Sequence, residues 1–225
     1  MRALWKEAAA ALALLAAGPA LAAGGAHVID DSEVETPGTC HVESWITRNS
    51  GESGLVNSAP ACTTKAWPHI ELGGFVMHDW TADASTTLIG LSPKFSLRSE
   101  STGLGIGVTT NLGFNVDRSR LETGAVIMPL TLDVGKRVRV NLNGGWAWAR
   151  TSDYSLFVGG QVEFAMTPTL GLMGEVFTHD TGKAGGQTGL RWMSDHGRMN
   201  LDVLVGRYAD GTTPTAVTIG LSIRR

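Results

Sequence analysis

Apolar and polar residues alternate through the stretch from 136 to 166. In its first half Leu142 lies on the apolar side of the pattern and Asn141 on the polar side. In its second half Val158 is on the apolar side and Gln161 on the polar side. Because successive side chains of a β-strand point to opposite faces, a period of two predicts a β-hairpin with one apolar and one polar face.

Segments of the same kind follow one another through most of the chain. Each is near the ~10 residues that a tilted membrane strand needs. The predicted strands span 39–48, 55–62, 68–80, 86–98, 102–116, 121–133, 136–150, 154–166, 169–179, 185–193, 199–208 and 214–224. About twelve strands joined by short turns predict an all-β chain, folded as a transmembrane antiparallel up-and-down β-barrel with both ends on one side.

Aromatic residues lie near both ends of the predicted apolar face. Those near the external ends are Trp80, Phe114, Trp146, Trp148 and Tyr154, and those near the periplasmic ends are Phe95, Phe164 and Trp192. Two such belts are typical of the two interfaces of a membrane. The belts favour a barrel whose apolar face meets lipid, and a soluble secreted β-barrel or sandwich is the alternative.

The first 38 residues do not follow the strand pattern. Residues 1–22 begin with Arg2 and Lys6, continue with an apolar run too short to span a ~30 Å bilayer core, and end in small residues, as a secretory signal peptide does. Residues 23–38 are polar and acidic and are expected to form an extended periplasmic segment. The barrel is then expected to occupy residues 39–225.

Cys40 and Cys62 are the only two cysteines. A cysteine pair in an exported protein is usually oxidised. A hairpin centred on Gly51 places the two directly opposite each other, which predicts a disulfide. Two free thiols are the alternative. A metal site is a weaker hypothesis, because structural zinc takes four ligands and His41 is the only histidine nearby.

Charged residues of both signs lie on the predicted lumen face. The main ones are Glu71, Lys94, Arg137, Arg139, Glu163, Glu175, Arg191 and Asp202. Because a buried charge must be paired, a network of ion pairs that fills a narrow lumen is one interpretation. A charged constriction that selects solutes is the other.

Composition and motifs exclude several classes of function. Removal of residues 1–22 changes the formal net charge only from −3 to −4, which does not indicate a nucleic-acid partner. Ser194, Asp195 and His196 include the residue types of a hydrolase, but consecutive residues in a turn cannot converge on one atom. The sequence therefore predicts no catalytic residues, no metal site and no cofactor.

The string VIDDSEVETPGTCHVESW, residues 28–45, resembles the entry into the first strand of outer-membrane proteins grouped with the phenol-degradation MetA pathway. That resemblance implies a passive outer-membrane barrel, with hydrophobic solutes as one candidate class, and it identifies no binding residue.

Taken together, the pattern predicts a passive pore or a structural protein of the outer membrane. Its expected partners are outer-membrane lipids and the outer-membrane assembly machinery. A lipid-modifying barrel enzyme and a soluble secreted binding protein are the alternative functions.

Overall fold

The structure is a computed structural model that describes residues 26–150, 152–179, 184–194, 197–207 and 215–225. The predicted signal peptide lies outside these residues. The strands are β1 (Cys40–Asn49), β2 (Gly54–Thr63), β3 (Ile70–Trp80), β4 (Ser85–Leu91), β5 (Lys94–Arg98), β6 (Leu104–Asn115), β7 (Arg120–Val134), β8 (Val138–Ala149), β9 (Ser152–Ala165), β10 (Leu170–His179), β11 (Gly185–Met193), β12 (Met199–Arg207) and β13 (Ala216–Arg224). A 3-10 turn, Glu100–Thr102, precedes β6.

The strands close into one antiparallel barrel. The first strand pairs with the last, β1 with β13, and β2 pairs with β3 to complete the ring. Strands β4 and β5 both pair with β3 and with β6, so they are two halves of one barrel strand, interrupted at Ser92 and Pro93. The thirteen segments therefore make twelve barrel strands, which confirms the predicted fold. No helix among the described residues is long and apolar enough to cross a membrane.

The two faces of the barrel have opposite polarity. The side chain of Leu142 points outward and the residue is 51% exposed, whereas its neighbour Asn141 is 0% exposed inside the barrel. Val158 and Gln161 differ in the same way. An apolar exterior around a polar interior is the arrangement of a membrane barrel, in which lipid covers the outer face.

Half of the eight predicted belt residues have exposed rings on the outer face. Four of them are among the exposed large hydrophobic residues, namely Phe114, Trp146, Phe164 and Trp192. Trp80, Trp148 and Phe95 are half-buried. The side chain of Tyr154 lies outside the described part of the chain.

A disulfide joins Cys40 and Cys62, as the hairpin argument predicts. The two residues are direct partners in the register of β1 and β2. Next to them the backbone N–H of Cys40 donates to the carbonyl of Arg225, so both ends of the barrel chain meet here. We call this the periplasmic end, following the predicted topology.

Residues 26–38, which we call the N-terminal segment, enter the barrel from the periplasmic end. Glu35 lies at the rim, and Ile29 lies deeper, packed against Phe157 and Phe177 of the barrel wall. Ala26 packs against Met173 and Leu204 in a second small apolar cluster. These contacts correct the expectation of a periplasmic position for residues 26–35. Burial of apolar side chains against inward-facing aromatic rings favours insertion into the lumen.

Candidate functional site: a lumen shared with the N-terminal segment

Side chains of the barrel wall satisfy the backbone of the inserted segment. The N–H groups of Val28 and Ile29 donate to the carboxylate of Glu175, at 2.9 and 3.4 Å. Asp30 exchanges two hydrogen bonds with the amide of Asn143, at 2.9 and 2.7 Å. Because buried backbone polar groups need partners, these side chains fix an extended chain that has no strand neighbour.

An acidic pair in the segment meets a lysine of the wall. The Nζ of Lys94 lies 3.0 Å from Asp30 and 2.6 Å from Asp31. In the register of β3 and β5, Lys94 stands opposite Glu71, yet its ion pairs are to the segment. The segment therefore supplies the counter-charges of a buried cation of the wall.

A histidine of the segment completes a second charged cluster. The ring of His27 lies between Glu175 and Asp202, at 3.4 and 3.5 Å. Asp202 also accepts two hydrogen bonds from Arg191, at 2.7 and 2.8 Å. Arg191 is 1% exposed and also lies 3.9 Å from Glu163. Bidentate pairing of this kind is what allows a guanidinium to be buried.

Glu35 anchors the segment at the periplasmic rim. It accepts a hydrogen bond from Arg224, and its carboxylate lies 3.3 Å from His41. Burial opposes ionisation of this carboxyl, but the contact with the His41 ring and the charge of Arg224 outweigh it and lower the pKa of Glu35 to about 2. The N–H of Glu35 donates to Glu71 at 2.9 Å.

The predicted lumen charges are distributed over this site as follows. Seven are buried on inward-facing positions, namely Glu71, Lys94, Arg139, Glu163, Glu175, Arg191 and Asp202. Arg139 pairs with Glu100 and Asp133 near the rim. Arg137 instead lies, half-buried, in the turn between β7 and β8. No group of three or more His, Cys, Asp and Glu among the described residues is arranged to hold a metal ion.

A cavity of about 700 Å³ remains between the segment and the wall. It extends from the rim, at Glu100 and Arg224, to mid-barrel, at Trp45 and Asn143. Its lining contains seven carboxylates and three lysine or arginine side chains. Of these seven carboxylates only Glu71 is among the predicted lumen charges.

Sequence reasoning also missed the residues that hold the segment. Phe157, Phe177, Met173 and Leu204 are apolar residues at lumen-facing positions, where the alternation calls for polar ones. These apolar residues on the polar face were the one feature of the sequence from which an inserted segment could have been predicted. They indicate that the lumen contains something apolar, here Ile29 and Ala26.

The possible hydrolase string is only partly within the described residues. The hydroxyl of Ser194 accepts a hydrogen bond from the N–H of Met199, at 2.9 Å, as in an ordinary turn. Asp195 and His196 lie outside the described residues.

Comparisons with known proteins give the following similarities. One family model, described as "Uncharacterised conserved protein UCP029691", matches residues 11–225. No curated protein matches the sequence.

Solved structures of outer-membrane proteins share the fold. The COG4313 outer membrane channel from Pseudomonas putida F1 superposes with a TM-score of 0.67, 10% identity, and coverage of 92% of this chain and 100% of that one. A KdgM porin superposes with a TM-score of 0.65, 10% identity, and coverage of 81% and 98%. Outer membrane phospholipase A from Escherichia coli superposes with a TM-score of 0.50, 13% identity, and coverage of 82% of this chain and 92% of that one. At these identities the likeness concerns the fold, which channels and an enzyme share.

Proposed function

We propose that this chain, which belongs to the UCP029691 family and folds as a closed twelve-stranded barrel, is a passive channel of the bacterial outer membrane. The observation that carries this proposal is the cavity beside the N-terminal segment. The segment occupies one side of the lumen, and about 700 Å³ stays free on the other. A barrel of this size lies between those filled by side chains and those with a wide aqueous channel.

The N-terminal segment acts as the constriction of this channel. It narrows the lumen from the periplasmic rim to mid-barrel, where Ile29 and Ala26 are packed against the wall. The charged groups around it favour water and polar solutes over hydrophobic ones, because an apolar solute would strip water from these charges without replacing its hydrogen bonds. We therefore propose a polar route, although the resemblance of residues 28–45 to MetA-pathway proteins suggests hydrophobic solutes.

Planar-bilayer recording tests the channel. The refolded protein should give discrete current steps of small unit conductance, and a variant lacking residues 23–35 should give larger steps. Absence of current steps from both proteins, with folding verified by a heat-dependent gel shift, would contradict a channel.

An enzyme with the same architecture is the alternative. We propose no catalytic role, since no observation among the described residues favours one. Release of fatty acid from phospholipid or lipid A vesicles by the purified barrel would reverse this assignment.

Export and placement complete the proposal. Cleavage after Ala22 would remove the signal peptide and leave three residues before Ala26. Outer-membrane lipids would then surround the apolar face, after insertion by the assembly machinery. Mass spectrometry of the protein from outer-membrane fractions tests both the cleavage site and the location.

A further inference from the structure

The charged groups that line the cavity are unequally paired. Its three lysine and arginine side chains all contact carboxylates: Lys94 pairs with Asp30 and Asp31, Arg139 with Glu100, and Arg224 with Glu35. The seven acidic residues outnumber these three side chains even together with His27 and His41, which also line the cavity, so the free space faces a surplus of carboxylate. A surplus alone does not make a site.

Glu43 supplies the second observation. It is 7% exposed and lines the cavity, yet it makes no hydrogen bond or ion pair with the described residues. The neighbouring His41 on the same face of β1 contacts Glu35 instead. His41, Arg191 and Arg224 act on this carboxylate electrostatically but form no ion pair with it, so a counter-charge in direct contact with Glu43 would have to come from outside the chain.

The surroundings of Glu43 leave room for such a counter-charge. Its direct partner across β2 is Ala59, and the next inward-facing residue of that strand is Ala61. Both line the cavity and have only a methyl group. On the β2 side the carboxylate therefore borders the cavity, and on the β13 side its direct partner is Ser222.

An aromatic residue follows Glu43 on the same face of β1. Trp45 is two residues further along β1, on the same inward face, which puts the two residues roughly 7 Å apart along the strand. Trp45 also lines the cavity and packs against the cluster of Ala26, Met173 and Leu204. A carboxylate and a tryptophan that line the same cavity are a combination that can bind organic ammonium groups, by charge and by cation–π attraction.

We propose that this cavity binds small organic cations, with an ammonium group received by the Glu43 carboxylate and the Trp45 ring. The inference rests on the proposed channel function, because it names the class of solute that the channel admits. The cavity volume is in the range of small-molecule sites, which is ample for an ammonium compound of a few carbon atoms.

Isothermal titration of the full-length exported protein in detergent tests the site. Choline is the probe, and 3,3-dimethylbutan-1-ol is its uncharged isostere. We expect choline to bind, the isostere to bind at least tenfold more weakly, and Glu43→Gln to weaken choline binding about tenfold. The matched control is Glu122→Gln, which removes a buried carboxylate of β7 that does not line the cavity.

If Glu43→Gln does not fold, a second variant tests the same site. Trp45→Leu should weaken choline binding several-fold and leave binding of the isostere unchanged. Equal choline affinity in wild type and Glu43→Gln, or equal affinity for choline and its isostere, would overturn the proposal.

Conductance separates this proposal from the proposed function. Current steps without choline binding overturn the cation site and leave the channel. Choline binding that depends on Glu43, in a protein that never conducts, supports the site and overturns the channel.

Discussion

The Nζ of Lys94 lies 2.6 Å from a carboxylate oxygen of Asp31, and this ion pair joins the barrel wall to the N-terminal segment. Lys94→Met leaves two carboxylates of the segment without their cation. Removing one partner of a buried ion pair usually costs about 3 kcal/mol or more of stability. The lower figure applies here, because Asp30 keeps some contact with water. We expect the cost to fall on docking of the segment, and channel conductance to rise.

Cleavage by a glutamate-specific protease measures docking independently. In the docked segment Glu33 and Glu35 are held by partners, so cleavage after them should be slow in the wild type and fast in Lys94→Met. Arg118→Met is the control, because Arg118 pairs with Glu122 at the external end. Unchanged conductance and cleavage in Lys94→Met would contradict the role of this pair.

The strands and their faces could be predicted because they depend on a local period of two. Leu142 and Asn141 are adjacent in sequence, and the alternation alone assigns them to opposite faces. The disulfide followed from symmetry about one turn, since a hairpin fixes which residues stand opposite each other.

The position of the N-terminal segment could not be predicted in the same way. Its partners Glu175, Asn143 and Thr131 are about a hundred or more residues away and belong to three different strands. The segment has no periodicity that would select them. Lys94 could be predicted as a paired lumen charge, because it lies on the polar face of a strand. Its partners Asp30 and Asp31 could not be predicted, because they lie in the segment without periodicity.

Loss of the disulfide should loosen the periplasmic end of the first hairpin. For a separation of 22 residues the chain-entropy model gives about 3 kcal/mol. Replacement of both Cys40 and Cys62 by serine should therefore lower the unfolding temperature in detergent, and reductant should have the same effect on the wild type only. An equal unfolding temperature in both proteins would show that hydrogen bonding of β1 with β2 and β13 is sufficient.

Docking of the segment at the rim should depend on pH through Glu35. The pKa of Glu35 is lowered to about 2 in the folded protein, from an ordinary value of 4.5. A lowered pKa contributes stability that is fully present above pH 4.5 and is lost as the pH falls towards 2. A fluorophore on Thr36→Cys should report release of the segment in this range. Glu35→Gln should remove this contribution, whereas Glu52→Gln, in the turn between β1 and β2, should not.

An arginine at the lipid face and one at the cavity test the orientation of the barrel wall. Leu142→Arg puts a charge against lipid near mid-depth and should cost about 2–4 kcal/mol of folding free energy in vesicles. Asn141 is not a suitable lumen control, because its side chain is fully buried and hydrogen-bonded to Thr131, Gln161 and Glu163. An arginine at position 141 would therefore break these hydrogen bonds and also destabilise the barrel.

Asn111 is the better control, because it lines the free cavity, where an added guanidinium meets water and carboxylates. We expect Asn111→Arg to cost well under 1 kcal/mol, since the new charge can stay solvated. Equal destabilisation by the two arginines would mean that Leu142 does not face lipid. Brominated lipid supplies a second readout, because it should quench the exposed ring of Trp146, which is 63% accessible on the same face. If neither the energy difference nor the quenching is observed, the barrel is not a membrane barrel, and the channel proposal fails with it.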